Sequence, residues 1–253
     1  MINASQEPDS TVLTAFEAAV AVIKHAGATV IDNINITAYA LDQYNNGNSS
    51  NVVLGADFVT DLPANYLSKL VSNPENVHNL MDVRSFTHSY PLEDYPDRDT
   101  GVWDQSLALG FDNTSPEFWE AYQTNLQIAG PEGITGLLAN HSLDALILPT
   151  DFAAGLPALI GSPVVTVPLG FYPPDEPVKR NDRGDLIETG PNIPFGISFL
   201  GDKWSEASLI GFAYAFEQRT KIRNQGVPYI LPKTELVDVV TKGQRIVQVS
   251  TER

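Results

Sequence analysis

The stretch Leu143-Asp144-Ala145-Leu146-Ile147-Leu148-Pro149-Thr150-Asp151-Phe152-Ala153-Ala154-Gly155, continued by Gly161-Ser162-Pro163-Val164-Val165-Thr166-Val167-Pro168-Leu169-Gly170, decides the fold. Residues 143–148 are a short apolar run closed by Pro149, and Val164 to Val167 is a second, β-branched run closed by Pro168. Short apolar runs bounded by glycine and proline read as buried strands. The small residues between them then form a loop at a sheet edge, where α/β proteins build pockets. A tight connection between two core strands fits the same residues equally well. If it is a pocket, the loop after Pro149 and the Gly161-Ser162-Pro163 turn should border one concavity, because both lack bulky side chains.

Working outward, Ser115-Pro116-Glu117 supplies a cap residue and a first-turn proline. Phe118, Trp119, Tyr122, Leu126 and Ile128 then recur at helical spacing, which predicts a helix to Ala129 stopped by Gly130-Pro131. A further helix is expected over 132–139, a strand over 195–200, and a long helix after Ser205-Glu206 with Leu209, Phe212, Ala213 and Phe216 on one stripe. Near the start, Val12, Phe16, Ala19, Val20 and Ile23 predict a helix over 11–25, and Ala28-Thr29-Val30-Ile31 reads as a strand. Residues 43–51 read as a loop, and 54–71 as a helix bent at Pro63. Residues 73–115 show no sustained period and read as a long irregular connection; 179–184 read as a polar turn. Strands separated by helices predict an α/β fold, a mixed β-sheet flanked by helices. A chain whose first helix has no strand before it looks interrupted, since that helix must bury its stripe on a sheet.

Composition narrows the function classes. The chain has 253 residues, 43% of them hydrophobic and 18% charged, within the range of folded proteins. A net charge of -16 opposes binding to nucleic acid and to anionic membranes, because such binding rests on Lys and Arg replacing counterions. No apolar run is long enough to cross a bilayer. Cysteine is absent, which removes disulfides, thiol nucleophiles and thiolate zinc sites together. Met1 to Ser10 has none of the basic-then-apolar order of a signal peptide. Asn3, Asn35, Asn48, Asn113 and Asn140 head glycosylation sequons, as a secreted parent protein would allow, and the compartment stays open.

Chemistry-bearing motifs are few. There is no GxSxG elbow and no SxxK pair, and His25, His78, His88 and His141 lack a second ligand at metal spacing, so neither metal nor cofactor is expected. Asp97 and Asp99 before Gly101 alternate as in a calcium loop but lack its later bidentate glutamate, and read as a solvated acidic loop. Arg183-Gly184-Asp185 spells an adhesion tripeptide in a setting that turn chemistry explains.

One ordered set of motifs carries a family resemblance. It consists of Asp144 to Thr150, Gly161-Ser162-Pro163 through Gly170, Pro194-Phe195-Gly196-Ile197-Ser198-Phe199-Leu200-Gly201, and Glu206 through Phe216-Glu217-Gln218-Arg219-Thr220. Together they resemble the closing section of amidase-signature enzymes, most closely the fungal ones. The resemblance reaches back to Phe16-Glu17-Ala18-Ala19 and covers nearly the whole chain. It implies that residues 1–253 are the carboxyl-terminal part of a single amidase-like domain, an incomplete amidase-signature fold. The activity it implies is hydrolysis of non-peptide amides by a serine nucleophile, a second serine joined by a cis peptide, and a lysine base.

This chain has no Gly-Gly-Ser-Ser-Gly-like run, no Asp-Thr-Gly-Gly-Ser motif and no lysine before them. In the family these lie upstream, so no catalytic residue can be assigned here. What the resemblance carries over is substrate lining: Pro149, Thr150, Asp151, Gly161, Ser162 and Pro163. The parent enzyme would take a small-molecule amide without a cofactor, and the chain alone should be inactive. It should also expose apolar surface where the rest would pack. The other expectation is a non-catalytic binding protein derived from an amidase, associating with itself through an open sheet edge.

Overall fold

In the computed structural model, residues 9–32, 34–36, 48–181 and 186–226 are described, together with positions 230, 231, 233, 234 and 237. Helix α1 (Ser10–His25) opens with Asp9 as its cap, whose carboxylate accepts the Thr11 N–H at 2.8 Å. That bond satisfies one of the four amide donors a helix start leaves open. It is also the largest influence holding the Asp9 carboxyl below its ordinary value of 3.8; burial opposes it, and Lys179, 3.5 Å away, adds to the lowering. A carboxylate depressed in this way stabilises the fold above its unfolded value, and the contribution is lost as pH falls through the lower folded value. Asp9→Ala should therefore cost about 0.5–2 kcal/mol at neutral pH and less in strong acid, where the uncharged carboxyl still caps but no longer attracts Lys179. Urea titrations at the two pH values check this, and an equal loss at both would rule out the carboxylate charge as a contributor.

After α1 the expected strand is missing: Ala28-Thr29-Val30-Ile31 is not a strand. β-branched residues favour extended backbone, but a strand exists only by pairing, and none of the described strands takes this segment as a neighbour. Helix α2 (Ser49–Asp61) starts inside the expected loop, of which 43–47 lie outside the described residues. It continues through a π-helical turn, Leu62–Tyr66, and a 3₁₀ turn, Leu67–Lys69. Pro63 sits at the head of the π turn, where its missing N–H and ring relax the regular ladder.

Two helices occupy the stretch expected to be irregular, α3 (Leu80–Ser89) and α4 (Gly101–Ala108). Each is too short to show a period, and local fixings hold them instead. Asn79 caps α3 by accepting the Asp82 N–H at 3.0 Å. Arg84 on α3 pairs with Asp104 on α4. Helices α5 (Pro116–Ala129) and α6 (Ile134–His141) then lead into the sheet.

Strands β1 (Leu146–Pro149) and β2 (Val164–Phe171) are joined through a 3₁₀ turn, Thr150–Phe152, and the short helix α7 (Gly155–Ile160). A two-stranded ribbon, β3 (Lys179–Arg180) with β4 (Ile187–Thr189), takes the first two residues of the expected polar turn; residues 182–185, with Arg183-Gly184-Asp185 among them, lie outside the described residues. Strand β5 (Pro194–Leu200) inserts between β1 and β2, antiparallel to both, and helix α8 (Glu206–Thr220) follows. The ladder slips between Pro168 and Gly170, where proline has no N–H to donate.

Register assigns the side chains to two faces, because residues alternate along a strand. On one face Ile147, Val165, Val167, Ile197 and Phe199 pack under α1 and α8 through Ala19, Leu209, Ala213 and Phe216. On the other, Leu146, Leu148 and Leu200 pack under α5, α6 and α7 through Ile128, Ile134, Leu138 and Leu156. The result is the expected α/β layering, helices on both faces of one sheet. Cover on the second face reaches β1 and β5 but stops short of β2, where Val164 and Thr166 are exposed. Among the described residues, no helix is long and apolar enough to cross a membrane.

Candidate functional site

The six residues singled out by sequence fall into two groups, and register separates them. Pro149 lies opposite Ile197, so Thr150 and Asp151 stand at the Gly196 end of β5. Pro163 lies at the other end, its carbonyl accepting the Gly201 N–H at 3.3 Å. Five residues of strand, roughly 16 Å, separate those levels. The expected shared concavity is therefore absent: because β1 and β2 both run antiparallel to β5, one strand's exit and the other's entry occupy opposite ends of the sheet. The turn Thr150–Phe152 and helix α7 make the return between the two ends, and Gly161 ends the helix in the left-handed region at φ 68°, which glycine adopts without strain.

At the Thr150 end three hydroxyls line up across the sheet. Ser198 Oγ, fully buried, lies 3.0 Å from Thr150 Oγ1 and 2.7 Å from Thr166 Oγ1. Gly196 makes room for the two threonines: a Cβ there would lie 2.5 Å from Thr150 Oγ1 and 2.9 Å from Thr166 Cγ2. Nearby, Tyr172 is buried with its ring edge-on to Phe195. Burial first, then the charges of Asp9, Asp151 and Glu176, push its phenol up to about 12, so it stays a neutral donor at physiological pH. Asp151 itself is exposed.

A serine nucleophile needs a base within hydrogen-bond reach. Ser198 meets only threonine hydroxyls, and the Ser162 hydroxyl is buried with no partner among the described residues. Three of the four histidines are engaged elsewhere: His25 with the Ala21 carbonyl, His78 with Asn76, and His88 with Thr100. The His88, Thr100 and Asp104 row resembles a relay, but Thr100 donates its proton to Asp104 at 3.0 Å, so His88 must act as donor to Thr100. His88 also stacks on Tyr95 at 3.8 Å, and together these contacts anchor the chain between α3 and α4. No cluster of three His, Asp or Glu side chains able to hold a metal occurs among the described residues.

A protein of Arthroderma benhamiae named as an amidase is 44% identical over 230 residues, 91% of this chain and 38% of its own length. The chain is homologous to the amidases. A protein of Arabidopsis thaliana, also named as an amidase, is 31% identical over 205 residues, 79% of the chain and 35% of the relative. The solved native peptide amidase of Stenotrophomonas maltophilia superimposes with a TM-score of 0.61 at 26% identity, over 82% of this chain and 39% of that one. This amidase homologue thus spans between a third and two fifths of the length of the relatives it matches. No family model matches it.

Sequence reasoning singled out Thr150 but missed the hydroxyls in line with it, Ser198, which bonds it, and Thr166, which bonds Ser198. They are 48 and 32 residues from their partners. The one available signal was the polar Ser198 inside an otherwise apolar strand, where a buried hydroxyl must find a partner.

Proposed function

We propose that residues 1–253 are the carboxyl-terminal part of a single amidase-like domain that hydrolyses the C–N bond of small-molecule carboxamides. Its serine nucleophile, second serine and lysine base lie in sequence upstream of this chain, which is inactive alone. The observation that carries this reading is the 44% identity to an amidase-named protein along 91% of the chain, joined to a fold that offers neither of its two core serines a base. Pro149, Thr150 and Asp151 border the substrate from one end of the sheet. The Gly161-Ser162-Pro163 turn forms a separate contact region at the other end, where the Ser162 hydroxyl is buried without a partner among the described residues. No cofactor is needed for this chemistry.

A second reading, a non-catalytic protein that self-associates, draws on the outer edges of β1 and β2, which pair with no strand among the described residues. Exposed Ile210 and Tyr214 on α8, and exposed Trp204 ahead of it in sequence, add apolar surface. One experiment separates the readings. The open reading frame is extended upstream of Met1, and the longer product is assayed on simple aliphatic and aromatic amides. Hydrolysis supports the amidase domain. A longer product without hydrolytic activity, while this chain sediments as a stable oligomer, would transfer support to self-association.

A further inference from the structure

Strands β1 and β2 both run antiparallel to β5, so they are parallel to each other and their carboxyl ends share one end of the sheet. Asp151 follows β1 there, and Tyr172 follows β2. Tyr172 is fixed on every side but one. Its backbone N–H donates to the Ile193 carbonyl at 2.9 Å, its own carbonyl accepts the Asn192 N–H at 3.1 Å, and its ring stands edge-on to Phe195 with centroids 5.1 Å apart. Phe195 in turn covers Gly170, where a Cβ would meet its ring at 2.6 Å. Only 5% of Tyr172 is exposed, yet its hydroxyl makes no hydrogen bond among the described residues. A buried polar group in that state calls for a partner from outside. The carboxylates whose charges bear on this phenol come from three separate elements: Asp9 at the cap of α1, Asp151 in the 3₁₀ turn after β1, and Glu176, whose N–H closes a turn onto the Pro173 carbonyl at 3.0 Å.

We propose that Tyr172 is the centre of a binding site for an organic ammonium group, a protonated amine, with Asp9, Asp151 and Glu176 supplying the counter-charge. A protonated primary amine has three N–H donors and no acceptor. One N–H goes to the unpartnered phenol oxygen, and the others face the carboxylates directly or through water. The field of three carboxylates rejects an anion. A metal ion needs its ligands drawn tightly around it, and no such group of three His, Asp or Glu side chains occurs among the described residues, whereas an organic cation is attracted by carboxylates set further apart. Lys179 already meets these acids, its Nζ 3.5 Å from Asp9 Oδ2, while Asp9 Oδ1 is taken by the Thr11 N–H. An ion pair whose lysine is 59% exposed holds weakly, so Lys179 competes with a ligand for Oδ2 without excluding it. The site uses only residues of this chain and does not rest on the amidase reading.

Benzylamine, protonated at neutral pH, titrated into the purified 253-residue chain and followed by backbone amide shifts, tests the site. It should bind, and benzyl alcohol, which has the same shape without the charge, should bind less tightly. Tyr172→Phe removes the hydroxyl and keeps the ring, and should weaken benzylamine roughly 3- to 10-fold, the worth of one hydrogen bond. Asp151→Asn should weaken it about 2- to 5-fold, as for an exposed charge pair. Lys179→Met removes the competing cation and should tighten binding. Glu206→Gln, at the start of α8 beyond the opposite end of the sheet, separates a site from the general pull of a chain carrying -16, and should leave affinity unchanged. No binding to the natural chain, equal binding of benzyl alcohol, unchanged affinity in Tyr172→Phe, weaker binding in Lys179→Met, or a loss in Glu206→Gln as large as that in Asp151→Asn would each overturn the proposal.

Discussion

The purified 253-residue chain should release no product from simple aliphatic or aromatic amides above the buffer rate. The expected deficit against a competent serine hydrolase is about 10⁶-fold, the loss that follows removal of a nucleophile or its base. This follows from where the hydroxyls point. Ser198 is buried with its Oγ between two threonine hydroxyls, neither of which can accept its proton for good, as a general base must. The Ser162 hydroxyl is buried without a partner among the described residues. Lys24 and Lys179 pair with Asp32 and Asp9 rather than with a serine. Turnover that co-purifies with the chain and vanishes in Ser198→Ala would show that a catalytic arrangement exists in it.

The second large effect is structural. Ile197 is fully buried at the centre of the middle strand, packed against α1 and α8. Truncation to alanine removes buried carbon and leaves a cavity on a face closed by two helices, which should cost about 2–5 kcal/mol. A domain with about 5–15 kcal/mol of stability would lose a large share of it. Val164→Ala is the control: that side chain is 36% exposed on the uncovered face and should change stability by no more than about 0.5 kcal/mol. Chemical denaturation of the two variants checks the pair, and equal losses would contradict the two-faced sheet.

Much of this architecture was legible in the sequence where the signal is periodic and long. The stripes of Phe118, Tyr122 and Leu126 and of Leu209, Ala213 and Phe216 give α5 and α8, and the apolar runs give β1, β2 and β5. Helices α3 and α4 were not legible, since 10 and 8 residues held by an Asn79 cap and the Arg84–Asp104 pair leave no stripe to count. Ala28 to Ile31 misled for the opposite reason: local preference without a pairing partner makes no strand. The site divides in the same way. Thr150 could be singled out by its place after a strand, but its separation from the Gly161 turn follows from antiparallel pairing with β5, which no local pattern encodes. The hydroxyl row required three segments to be laid in register before it could be seen.

A serine-directed covalent probe gives the most direct measurement, read by intact mass on this chain and on the upstream-extended protein side by side. The extended protein should gain one adduct, and digestion should map it outside residues 1–253, while the 253-residue chain gains none. An adduct on Ser162 or Ser198 of the isolated chain, or none on the extended protein, would contradict the assignment of this chain as the non-nucleophilic part of an amidase domain.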